Sequence, residues 1–237
     1  MKSTAKGGLA VLLLLTMTAC SSGNRAVSPK EARTLAGSRQ AVEARQQAEQ
    51  KLRKVVRAYA DHTRLSLGLV VVRDTCRTGL RKQPFFQDGS DTYKIKCFMH
   101  MTAYYGADPD HMAEVIDSVL TAGGSDPRIP FTRDDTGRRL LAYYQGKGPN
   151  PNGSGAPDPS SVFAWGDTLT WDPVRDRDPK RLVEEPLALK NDPPMQRFLR
   201  EPASGTVSGL RQRYGMVFRL DLGSDDYYEV LKSGRRR

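Results

Sequence analysis

The chain has few of the residues that most often carry chemistry. Its 237 residues include three Cys, three His and two Trp. The cysteine count is odd, so at least one thiol stands outside any internal pairing. His62, His100 and His111 are too widely spaced to form a ligand pair of helical or short-strand spacing. No Gly-x-Ser-x-Gly elbow is present, and no Gly-rich phosphate loop lies between a strand and a helix. The longest apolar run, Leu9 to Leu15, is far shorter than the roughly 20 residues a membrane span requires. Apolar residues make up 38% of the chain, enough for one real core but not for a membrane bundle. Collagen-like and wholly disordered classes are also excluded.

What is present begins at the N-terminus. Lys2 and Lys6 precede the apolar run, which has the length of a signal-peptide core. Met17-Thr18-Ala19-Cys20 follows, and then Ser21-Ser22-Gly23. This stretch resembles the lipobox of bacterial lipoproteins, with Met17 where Leu is commonest. The resemblance covers about the first 23 residues. It implies diacylglycerylation of the Cys20 thiol, cleavage between Ala19 and Cys20, and retention at the outer face of the cell membrane by two acyl chains. An ordinary secretory signal with an incidental cysteine is the alternative. No twin-Arg pair is present in the segment before the apolar run, so the general secretory route is expected.

The formal net charge is +10, and loss of residues 1–19 lowers it by two, to +8. Arg dominates the cations. With the abundant Ala, Gly and Pro, this fits coding by a GC-rich, for example actinobacterial, genome. A basic exported chain can attract anionic wall polymers or lipid headgroups. Nucleic acid is not expected as a partner.

The expected organisation is a signal peptide over 1–19, a lipidated tether over 20–27 and an N-terminal helix over 28–63. A single α+β domain over 64–232 follows, with a flexible loop at 146–161, and then a basic tail over 233–237. Ser28-Pro29-Lys30-Glu31 reads as a capping box. Ala41, Ala44, Ala48, Leu52, Val55 and Tyr59 continue a helical stripe, which Gly37-Ser38 can interrupt. A short coiled-coil seam is the alternative use of that stripe. Leu65 to Val72 and Tyr93 to Tyr105 read as strands. Pairing them antiparallel with Cys76 opposite Cys97 sets Val72 against Met101 and Val70 against Ala103, so the apolar residues meet on the cysteine face. A Cys76–Cys97 disulfide is therefore expected, with two buried free thiols as the alternative.

Asp108-Pro109 opens a helix with Met112, Val115, Ile116, Val119 and Leu120 in phase, expected to end at Gly123-Gly124. Arg138 to Gln145 and Val162 to Trp171 read as strands, and Met195 to Leu199 as a short helical turn. Val207 to Leu222 and Tyr227 to Leu231 read as a closing hairpin through Gly223-Ser224-Asp225-Asp226. The fold class is α+β, a mainly antiparallel sheet with one long N-terminal helix and a second helix packed on one face.

No catalytic set emerges. Adjacent acids such as Asp134-Asp135 and Glu184-Glu185 point to opposite faces of a strand and make poor acid–base dyads. No cofactor and no metal site is expected. His100 reads as an exposed strand residue. The loop closed by the disulfide holds Arg81, Lys82, Phe85 and Phe86, a cationic and aromatic set suited to partner contact, unless the rings fold onto the core. The functional expectation is a membrane-anchored, non-catalytic binding or accessory module of the envelope, with an anionic wall polymer or an envelope protein as partner. An envelope hydrolase is one alternative. The other is a carrier of a small apolar ligand, with a cavity lined by Met99, Met101 and Ile116.

Overall fold

A computed structural model describes residues 27–79, 92–223 and 226–236. Two helices open the described chain, α1 (Pro29–Ala36) and α2 (Arg39–His62). The one long N-terminal helix expected over 28–63 is instead two, broken at Gly37-Ser38, where Ser38 caps α2 through the Ala41 amide. Ser28 caps α1 by accepting from the Glu31 amide, while the Glu31 carboxylate pairs with Lys94 instead of returning to the cap.

Strands β1 (Ser66–Thr78) and β2 (Tyr93–Ala107) follow. They pair antiparallel in the expected register: Cys76 faces Cys97, Val72 faces Met101, and Val70 faces Ala103. A bulge between Tyr93 and Ile95 breaks the alternation at the start of β2, so Tyr93 lies under Lys96 and off the core face. Then come a single 3-10 turn (Pro109–His111) and α3 (Met112–Ser125). Asp108 caps the turn, not the helix. Gly123-Gly124 does not end α3, which runs on to Ser125.

The second half departs further from the sequence reading. Arg138 to Gln145 is no strand; it belongs to α4 (Asp135–Tyr144), capped by Asp134 on the Gly137 amide. Leu140 and Tyr143 are three residues apart and share the buried side of that helix. Val162 to Trp171 is a hairpin of β3 (Ser161–Ala164) and β4 (Asp167–Trp171). The expected helical turn near Met195 is strand β5 (Gln196–Glu201). Val207 to Leu222 splits into α5 (Val207–Tyr214) and β6 (Met216–Gly223). The closing hairpin is absent: β6 and β7 (Tyr228–Leu231) both pair with β2, end to end along one edge, and not with each other.

The result is an α+β fold on one antiparallel sheet, ordered β3–β4–β6–β2–β1–β5, with β7 continuing the line of β6. One sheet face carries the main core, where Met99, Met101, Tyr105, Phe218 and Trp171 meet Leu52, Val56 and Tyr59 of α2 and the stripe of α3. The opposite face is covered over part of its area, where Leu69, Val71, Tyr104 and Val217 pack against Val183, Val207 and Leu210. No described helix is long and apolar enough to cross a membrane.

Candidate functional site: a groove beside helix α2

The cysteines pair as expected. Cys76 and Cys97 form a disulfide across directly opposed strand positions, with Cα atoms 4.0 Å apart. Their amide and carbonyl bond outward, to Met195 and Tyr227, so the bridge joins a pair with no ladder bonds between them. The bridge sits in a second small core with Ala36, Ala41, Ile95 and Tyr228.

Next to the bridge lies a buried polar cluster. Asp74 follows the core-facing phase of β1 and is 2% exposed. Arg45 of α2 donates to it through Nε at 2.5 Å, and the Tyr227 hydroxyl donates to its other oxygen at 2.6 Å. Arg45 also donates to the Pro194 carbonyl. Burial disfavours the charged form of Arg45, but Asp74 and Tyr227 outweigh it and hold the guanidinium protonated. Burial, and then the bond to Asp74, push the Tyr227 phenol above its ordinary range. Arg197 stands 3.8 Å from the same carboxylate, so the cluster is Asp74 between two guanidinium groups plus a fixed neutral hydroxyl. It is not a poised nucleophile.

Alongside it, Arg53 joins Glu49 to Glu201, and Arg197 joins the same Glu49. Burial opposes ionisation of Glu49, but bonds from Arg197 and then Arg53 hold its carboxyl below the usual range. These pairs tie α2 to the edge strand β5.

Above Tyr227 runs an open groove of about 410 Å³. Its helical wall is Ala44, Gln47, Ala48, Lys51 and Leu52 of α2; the other wall is Trp165, Gly223, Asp226 and Tyr227. Ala44 and Ala48 are small, and larger side chains there would fill the space.

Trp165 is the least ordinary residue of this site. It occupies, with Gly166, the two-residue loop between β3 and β4, and both have positive φ, 52° and 92°. That geometry suits Asn-Gly or Gly-Gly. Placing Trp in the left-handed region costs about 1 kcal/mol. The ring recovers nothing from burial, being 94% exposed, and Phe163 beside it is 69% exposed.

The other sequence candidates are dispersed. Cys20, Arg81, Lys82, Phe85 and Phe86 lie outside the described residues. His62 ends α2, 3.7 Å from Asp126, and His111 contacts Asp108 at 2.9 Å. His100 is exposed on the face of β2 turned away from the cysteines. Among the described residues, no three His, Cys, Asp or Glu side chains converge as a metal site would require. Met99, Met101 and Ile116 are packed into the main core.

Sequence reasoning missed Arg45, Asp74, Trp165 and Tyr227 as a neighbourhood. Two signals were present. An acid in phase with Val70, Val72 and Cys76 demands a buried partner, and a Trp-Gly step between alternating runs marks a hairpin. Comparison with protein-family models, with curated proteins and with solved structures finds no match to this chain.

Proposed function

We propose that this protein is a lipid-anchored, extracytoplasmic binding module without catalysis, and that its ligand lies in the groove between α2 and Trp165. The single observation that carries this reading is Trp165: an almost fully exposed indole, held in an unfavourable backbone conformation, at the lip of a groove. Strain of this kind persists where it serves a site. Exposed Trp beside polar groups is also the usual make-up of a binding anchor. Gln47, Lys51 and Asp226 supply polar contacts around it, and Tyr227 is immobilised beneath by Asp74. The ligand that fits offers a flat apolar face to the indole and hydroxyl, amide or anionic groups to the rim. Wall-polymer fragments have that chemistry, and an outward-facing lipid anchor would hold the groove near them.

Soluble wall fragments from muramidase-digested envelopes are the probe. Trp171 is fully buried, so any saturable change in exposed-Trp emission comes from Trp165. Saturable binding that Trp165→Ala weakens at least tenfold is expected. Equal binding by wild type and variant, or none by either, contradicts the assignment.

A further inference from the structure

We propose a second, independent site: the open half of the opposite sheet face binds a phosphate-bearing anion through Arg73 and His100, beside the stacked pair Arg77–Phe98. Three alternate rungs of the β1–β2 ladder present side chains there: Arg73 opposite His100, Thr75 opposite Phe98, and Arg77 opposite Lys96. These rungs place Arg73, Arg77 and Lys96 on one face of the strand pair.

The charges around the patch are not equally spent. Lys96 pairs with Asp226 and Glu229, Arg219 with Asp221, and Arg200 with Glu185. Asp221 also accepts from Thr102. Asp221, Asp226, Glu229 and Glu185 thus each have a cation already. Arg73 and Arg77 make no ion pair among the described residues.

Arg73 is the decisive case. Its Nε is inaccessible to solvent and has no hydrogen-bond partner, on a half-buried side chain. The Arg73 Nη atoms make no hydrogen bond among the described residues and are not shielded in this way, so they are the donors that ligand oxygens can reach. The arginine fork matches phosphate oxygens in pairs. The rest of the site is already ordered: the Arg77 guanidinium stands 4.9 Å from the Phe98 ring centre, and the edge of that ring packs on His100 at 5.5 Å. Arg73 and Arg77, four residues apart on one strand face, suit an anion carrying more than one phosphate. Lipid headgroups and soluble wall polymers both offer that group.

The test uses the full chain carrying Cys20→Ala, so that no acyl anchor contributes. Inorganic tripolyphosphate is titrated by calorimetry at low salt, and vesicles of anionic phospholipid are compared with neutral ones by sedimentation. Binding of tripolyphosphate that falls with added salt, and at least tenfold with Arg73→Gln, is expected. Co-sedimentation with anionic vesicles in addition identifies the headgroup as a source; its absence leaves the soluble polymer. Arg73→Gln should leave the thermal midpoint unchanged or raised without ligand, since the residue has no partner to lose. A lowered midpoint, unchanged affinity in the variant, or no binding by the parent chain overturns the site. Trp165→Ala should leave tripolyphosphate binding intact, so this site and the groove succeed or fail separately.

Discussion

Asp74 is the most buried carboxylate near the groove. It accepts from both Arg45 and Tyr227. Removing one partner of a buried pair costs more than the pair contributes, because a charge is left unpaired. Asp74→Ala should therefore lower unfolding stability by about 3–5 kcal/mol, read as a shift of the urea midpoint. A loss below about 1 kcal/mol would mean the cluster is hydrated. Asp167 behaves oppositely. Burial pushes its carboxyl up to about 6, so the folded chain prefers the neutral acid. The stability this group contributes is full below its ordinary value near ~4 and is lost as pH rises through about 6. Asp167→Asn should gain about 1–2 kcal/mol over wild type at about pH 8, and the gain should shrink towards pH 4.5. Denaturant titrations at the two pH values decide this, and a variant weaker at pH 8 refutes it.

Helix α3 and the β3–β4 hairpin separate local signal from tertiary demand. Gly123-Gly124 looks like a helix stop, yet α3 continues through both. A Cβ at Gly123 would stand 1.9 Å from the Phe131 carbonyl oxygen, whereas at Gly124 it would meet nothing within 4 Å. Gly123 is thus a close-approach residue for the chain at 129–131. Gly124→Ala should stabilise by about 0.5 kcal/mol, and Gly123→Ala should destabilise by about 2 kcal/mol or more; thermal midpoints that move together contradict this. In the hairpin, Trp165→Asn should raise stability by about 1 kcal/mol while abolishing groove binding. A variant that is both less stable and ligand-competent would remove the strain argument.

The same elements show what was legible. The β1–β2 register was, because apolar alternation and the cysteine pair demand one alignment. Helix α4 was not: Leu-Leu-Ala-Tyr-Tyr suits either a strand or a helix, and the Asp134 cap that settles the matter looks like any turn acid. Helix α5 had its signals, the Thr206 cap and Gly215 at φ 93°, inside a run that otherwise reads as strand.

At the scale of the whole molecule, pairings between distant segments were the least readable. β5 joins β1 across more than a hundred residues, and β7 extends β6 instead of turning back on it. No local pattern encodes either, since both depend on which edge is left free once β1 and β2 pair. The groove inherits that difficulty, since it combines α2, the β3–β4 loop and residues 223–227, whereas the Arg73 patch lies within the legible β1–β2 pair. The disulfide does the opposite work, joining the two longest strands across a separation of 21 residues. Replacing both cysteines by Ala should cost about 3 kcal/mol, and a non-reducing urea series against wild type measures it.

The two proposed sites lie on opposite sheet faces, and both acquire their setting from the anchor proposed at Cys20. The most direct test is the intact mass of the protein extracted from membranes of cells that produce the full chain. A mature chain beginning at Cys20 and carrying a diacylglyceryl group is expected. An unmodified chain, or one beginning at any other residue, would contradict it.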